Sequence, residues 1–233
     1  RSVYMADSDF IKVPIKELID KKYLSDRAKL LTSFKKLQLV KPGVLPKNLS
    51  KLGEDISIEL PSTSHISIID QYGNALSMTT TIENGFGSRL MTNAGFLLNN
   101  ELTDFSFKAY NKGKKIANSL EPGKRPRSSM SPTIIFKNNT PAYILGSPGG
   151  SNIIGYTINS IVSLIDWKMN AQEAASAPHA INKFGTFSLE LNTPLSKLAP
   201  LLKKMDYQVK LKNFSSGMNI IAVDNKLYGG SDH

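Results

Sequence analysis

Apolar residues recur along this chain with two different periods. From Pro14, the positions Ile15, Leu18, Ile19 and Leu24 fall near helical spacing, with a proline where a helix begins, and predict a helix over 14–31. A connector over 41–57, carrying Pro42-Gly43 and Pro46 with weak periodicity, marks a long loop or an internal boundary. Beyond it the pattern shortens. Runs at 66–69 and 75–81 flank Gln71-Tyr72-Gly73-Asn74, runs at 133–136 and 142–145 flank Lys137-Asn138-Asn139, and runs at 219–223 and 227–228 flank Asp224-Asn225-Lys226. Three β-hairpins are predicted. Between them, Ile153, Ile154, Thr157, Ile158, Ile161, Val162 and Ile165 line one face of a helix expected over 151–168. Asn170, three residues before Glu173, opens a shorter helix with a capping box and stops before Pro178; a further helix is expected over 194–204. Hairpins with helices packed outside them, and no strict βαβ alternation, read as α+β.

With 233 residues and 40% hydrophobic content, the chain can bury the core of one large domain or of two small ones packed together. Its longest apolar stretch, near 153–167, is interrupted by Gly155, Asn159, Ser160 and Asp166, short of the run of about 20 residues that a membrane span needs. No membrane span is expected. There is no cysteine, which excludes a disulfide framework and thiolate chemistry and fits a cytoplasmic or a periplasmic setting. The chain opens at Arg1 without a charged-then-apolar leader, so a signal peptide is expected upstream if one is encoded. The formal net charge is +10, but the lysines stand in small groups (Lys21-Lys22, Lys35-Lys36, Lys114-Lys115, Lys203-Lys204) without interleaved aromatics. That is the spacing of solvated lysine rather than of a base-stacking groove, so no nucleic-acid partner is expected.

The candidate chemistry begins with exclusions. Histidine occurs only as His65, His179 and His233, and neither a Gly-x-Ser-x-Gly elbow nor a His-Glu-x-x-His pair is present. Ser64 and His65 are neighbours on an expected strand, where consecutive side chains point to opposite faces, so they cannot act as nucleophile and base; His65 reads as a satisfied imidazole on one sheet face. The loop Gly146-Ser147-Pro148-Gly149-Gly150-Ser151 lies between an expected strand and an expected helix. Adjacent glycines let amide N–H groups converge and a helix N-terminus favours negative charge, which suits an oxyanion hole as well as it suits a plain tight turn. Without a Gly-Lys-Ser/Thr or a Gly-x-Gly-x-x-Gly it does not read as a phosphate loop. Asn99-Asn100-Glu101-Leu102-Thr103-Asp104-Phe105 brings two carboxylates to a strand exit, as an ammonium clamp or as an acidic surface turn. Ser128-Ser129 is equally open between a hydroxyl pair for a carboxylate and an ordinary proline-bounded loop.

In their order, these segments resemble the γ-glutamyltranspeptidases. The likeness runs through Ala6 to Pro14, Thr63-Ser64-His65, Thr79-Thr80-Thr81-Ile82-Glu83, Phe86-Gly87, Gly95-Phe96-Leu97-Leu98-Asn99-Asn100-Glu101, Asp104-Phe105, Lys124-Arg125-Pro126, Ser128-Ser129-Met130-Ser131-Pro132, Ser147-Pro148-Gly149-Gly150, Ala177-Pro178 and Tyr228-Gly229-Gly230-Ser231-Asp232. The resemblance covers nearly the whole chain. It implies an N-terminal-nucleophile hydrolase with an αββα four-layer sandwich, here partial because most of the large subunit lies upstream, including the arginine the family uses against the substrate carboxylate. Residues 1–62 would be the C-terminal segment of the large subunit and 63–233 the small, catalytic subunit, separated by autocleavage before Thr63. Thr63 would be nucleophile and, through its freed amine, general base. Thr81 would orient it, Gly149 and Gly150 would supply oxyanion amides, Glu83, Glu101 and Asp104 would bind the α-ammonium of a γ-glutamyl group, and Ser128 with Ser129 its α-carboxylate. Glu83 stands where relatives often carry asparagine, and the lysine-rich stretch 106–123 replaces the family's lid loop.

The resemblance further implies transfer or hydrolysis of glutathione and other γ-glutamyl amides, with water, amino acids or peptides as acceptors, no metal or organic cofactor, and a periplasmic or secreted location. Two other readings compete: a related acylase that cleaves a β-lactam side-chain amide or a poly-γ-glutamate, and a non-catalytic, unprocessed fragment.

Overall fold

The structure, a computed structural model, describes all residues except 32–35, 38–39, 46–51, 56, 58–61, 184 and 233. Pro46, with much of the expected 41–57 connector, and His233 therefore lie outside the described residues. In chain order the helices are α1 (Ile15–Leu18), α2 (Lys21–Ala28), α3 (Ile153–Ile165), α4 (Ala171–Ala175) and α5 (Ala199–Lys204). The strands are β1 (Leu52–Gly53), β2 (Thr63–Ile69), β3 (Ala75–Thr81), β4 (Tyr110–Asn111), β5 (Lys114–Ile116), β6 (Thr133–Lys137), β7 (Thr140–Gly146), β8 (Ala180–Asn182), β9 (Thr186–Glu190), β10 (Gln208–Lys212), β11 (Asn219–Val223) and β12 (Leu227–Ser231). They form two compact units, Arg1–Glu59 with Glu101–Ser128, and Leu60–Asn100 with Ser129–His233.

In the first unit the helix expected over 14–31 is broken. Asp20 adopts extended backbone and its side chain accepts from the Tyr23 amide, so α2 starts afresh on its own N-cap. The apolar positions that predicted one helix, Ile15, Ile19 and Leu24, are exposed. β4 and β5 form a hairpin within the lysine-rich stretch 106–123, and β1 adds to β5 in parallel. A small cluster of Val3, Tyr4 and Leu45 carries part of the core, but much of the cohesion is polar. Arg125 makes a bidentate pair with Asp7, at 2.7 and 3.0 Å, and this holds the Asp7 carboxyl well below the usual carboxylate range. Arg127 pairs with Asp55 at 3.1 Å with both side chains almost fully buried; removing one partner of such a pair typically costs about 3–5 kcal/mol.

The second unit is layered. β12-β11-β7-β6 is an antiparallel sheet. The β2–β3 hairpin packs on one face of it and α3 and α4 on the other. All three predicted hairpins are present, and the turn between β6 and β7 tightens to Asn138-Asn139, both at positive φ (51° and 61°), as a two-residue hairpin turn requires. The capping box of Asn170 and Glu173 forms as expected at the start of α4. α3 is shorter than predicted and turned: it buries Ile153, Tyr156, Thr157, Ser160, Ser163 and Leu164, while Ile154, Ile158 and Ile165 are exposed. Small hydroxyls let the helix approach α4 and the sheet closely, which hydrophobicity alone does not signal. The helix expected over 194–204 opens as a 3-10 turn at Pro194 before becoming α5. It is also the crossover between β9 and β10, which pair in parallel, so one βαβ unit stands where none was expected.

His65 fixes the hairpin on the sheet. Its Nδ1 lies 2.8 Å from the Thr79 hydroxyl and its Nε2 3.0 Å from that of Ser67, the satisfied imidazole expected from the sequence. The ring fills the space beside Gly146, where a Cβ would come within 2.3 Å of it. Gly146→Ala is therefore expected to lose about 1–3 kcal/mol in urea unfolding. Gly229→Ala, whose methyl meets nothing within 4 Å, should change stability by less than about 0.5 kcal/mol. Equal midpoints for the two variants would show that the His65–Gly146 contact does not hold the layers together.

Candidate active site

Cross-strand register brings the first two groups together. Thr63, the first residue of β2, lies directly opposite Thr81, the last of β3, and its hydroxyl donates to Thr81 Oγ1 at 3.2 Å. Thr81 in turn donates to the carbonyl oxygen of Ser62 at 3.0 Å and accepts from the Glu83 amide at 2.9 Å. One hydroxyl thus orients Thr63 and polarises the carbonyl that precedes it. Glu83 follows at positive φ (72°) with its side chain buried. Asn100 donates to its Oε2, and its buried Oε1 has no hydrogen-bond partner. A buried carboxylate oxygen in that condition calls for a donor, since leaving it unmet is costly.

The glycine loop leaves the sheet at the Thr63 end of the hairpin. Ser77, paired with Ser67, donates to Leu145 O at 3.0 Å, and His65, two residues from Thr63, packs on Gly146. Gly149 sits at φ 131° and Gly150 at φ 56°. A Cβ at Gly149 would come within 2.5 Å of the Tyr156 ring, so the buried tyrosine props the loop from below. Ser147, fully buried, donates to Ser216 O, and Ser216 donates to the Asp232 carboxylate. Gly150 then begins the turn that leads into α3.

The remaining expected residues are divided between the two units. Ser129 is buried in the second. Glu101 and Asp104 span a single 3-10 turn in the first, with Asp104 buried, and Ser128, exposed, closes that unit's second segment. Sequence reasoning missed three supports: Tyr156 under Gly149, Asn118 behind Asp104, and the Ser147–Ser216–Asp232 chain. None carries a recognisable motif: Tyr156 reaches back to Gly149 only through the turn into α3, and the other two join residues further apart in sequence.

A family model described as Gamma-glutamyltranspeptidase matches residues 1–233. The chain belongs to that family. The Escherichia coli glutathione hydrolase proenzyme is 35% identical over all of this chain, which spans 40% of that relative's length. A mutant γ-glutamyltranspeptidase of Helicobacter pylori has a solved structure 40% identical to this chain, covering 72% of it and 97% of the solved chain with a TM-score of 0.66. An acylase proenzyme of a Pseudomonas species is 32% identical over 95% of this chain, which spans 37% of it. The fold is the α+β fold of these N-terminal-nucleophile hydrolases.

Burial lowers the pKa of His65 and of His179 from the usual 6.5, in His179 against the opposing pull of Glu190 and Asp232. The unfolded chain then binds more protons than the folded one just below pH 6.5, so the stability these groups contribute is complete above that value and declines on acidification. The depressed Asp7 and Asp70 carboxyls add to the loss only near and below 3.8. Equilibrium unfolding should give lower stability at about pH 5.5 than at about pH 7.5, with a smaller difference in His65→Gln. Stability that rises on acidification would contradict a half-buried His65 and a buried His179 both held neutral.

Proposed function

We propose that the protein is a γ-glutamyl transferase and hydrolase whose precursor cuts itself before Thr63, so that residues 1–62 end a large subunit and 63–233 form the small one. The observation that carries this is the relay from the Thr63 hydroxyl through Thr81 to the Ser62 carbonyl. Thr63 Oγ1 attacks the Ser62 carbonyl carbon, the Ser62–Thr63 C–N bond breaks as the ester forms, and water hydrolyses that ester to leave a Ser62 carboxylate and a free Thr63 amine. In later turnovers this amine takes the proton from the hydroxyl as it attacks a γ-carbonyl. The tetrahedral oxyanion falls to the amides of Gly149 and Gly150, and the proton passes to the departing amine. Water or an amino acid or peptide then resolves the γ-glutamyl-threonine ester.

The substrate class follows from the acidic residues. Glu83, Glu101 and Asp104 would hold an α-ammonium and Ser128 and Ser129 an α-carboxylate, which suits glutathione and other γ-glutamyl amides; the buried, partnerless Oε1 of Glu83 supports this over an acylase with an apolar acyl pocket. The proenzyme names of relatives support a precursor with a large subunit. No helix among the described residues is long and apolar enough to cross a membrane, and a periplasmic or secreted setting is part of the same proposal.

The protein expressed from its full reading frame should release the anilide from γ-glutamyl-p-nitroanilide. Thr63→Ala should abolish that release, and Gly150→Pro, which removes one amide donor and also cannot adopt the φ of 56° found there, should slow it by at least the roughly 100-fold that losing one oxyanion donor costs. Full activity in Thr63→Ala would sink the reading.

A further inference from the structure

Three polar contacts converge on one buried side chain behind the residues assigned to the substrate. Asn118, 1% exposed, donates from Nδ2 to the Asp55 carboxylate at 2.9 Å and to the Asp104 carbonyl at 2.8 Å, and accepts at Oδ1 from the Arg127 amide at 2.8 Å. The assignment of the amide is fixed by chemistry. A backbone N–H can only donate, so the oxygen must face Arg127, and both N–H bonds are left for two acceptors that cannot donate to one another. Asp55 is anchored in turn, by Arg127 at 3.1 Å and by the Ser57 amide at 2.9 Å.

We propose that Asn118 is a positioning residue that sets the distance between the ammonium-binding turn Glu101–Asp104 and the carboxylate-binding Ser128. One amide holds the last residue of that turn on one side and the residue before Ser128 on the other, and Asp55 fixes the amide itself. All these residues lie in one compact unit. Asp55, on the upstream side of Thr63, thereby braces a clamp formed by residues downstream of it, so the clamp is expected to outlast cleavage only while the two pieces stay associated. Nothing in the contacts gives Asn118 a part in the Thr63 chemistry: its partners are Asp55, Asp104 and Arg127 and neither Thr63 nor Thr81.

The inference rests on the γ-glutamyl reading, and the test separates the two. γ-Glutamyl-p-nitroanilide carries both the α-amine and the α-carboxylate, glutaryl-p-nitroanilide lacks the amine, and 4-aminobutyryl-p-nitroanilide lacks the carboxylate. Asn118→Asp replaces both N–H donors by an acceptor facing a carboxylate and a carbonyl. In the full-length protein it should still cleave itself, while kcat/KM on the γ-glutamyl anilide falls about 10–100-fold, chiefly through KM, and changes less than about threefold on the two truncated anilides. Asn118→Ser should show the same selective loss to a smaller degree, and it carries the test if Asn118→Asp does not accumulate. An unaltered preference for the γ-glutamyl anilide, or an equal loss on all three, would overturn the role of Asn118 alone. A wild type without that preference would remove the clamp, and the inference with it.

Discussion

The register of β2 against β3 sets Thr63 opposite Thr81, and a slip by one residue would turn every side chain of the hairpin to its other face. On the inner face stand Thr63, His65 and Ser67 with Thr79, Ser77 and Thr81; on the outer, exposed face stand Ile66, Ile68, Leu76 and Met78. Register is held at two places. At the turn, Asp70 accepts from the amides of Tyr72 and Asn74. In the middle, His65 binds Thr79 across the pair and seats on Gly146, so the contact that aligns the hairpin also aligns the strand that delivers Gly149 and Gly150. Thr63 and the glycine loop inherit their placement from the same interface.

What the sequence made legible follows from how local each feature is. The hairpins announce themselves because their turns do: Asn138-Asn139 and Asp224-Asn225 are short, polar and flanked by β-branched runs. α4 announces itself through Asn170 and Glu173. The buried side of α3 does not, because the helix buries Thr157, Ser160 and Ser163 and leaves Ile158 in solvent. β8, β9 and β10 are hidden for a different reason. They are short, β10 alternates lysine with apolar residues, and the parallel pairing of β9 with β10 depends on a crossover through α5 that no local pattern encodes.

The site divides in the same way. Thr63, Thr81, Gly149 and Gly150 are proposed from the order of motifs along the chain, and the geometry adds what motifs cannot: the direction of each hydrogen bond, with Thr81 donating to Ser62 and accepting from Thr63. Asn118 and Tyr156 carry no motif. Their importance arises from burial against residues tens of positions away, Asp55 for one and His179 for the other. Lys124, Arg125 and Arg127 are matched by Glu121, Asp7, Asp9 and Asp55, so the net positive charge of the chain resides on its other basic residues.

That Thr63 is placed to attack the carbonyl before it is the central claim, and the intact mass of the purified full-length protein, with N-terminal sequencing of its fragments, tests it most directly. The wild type should yield a fragment beginning at Thr63, and Thr63→Ala should remain a single chain. A wild type that stays whole, or a Thr63→Ala variant cut at the same bond, would contradict the account.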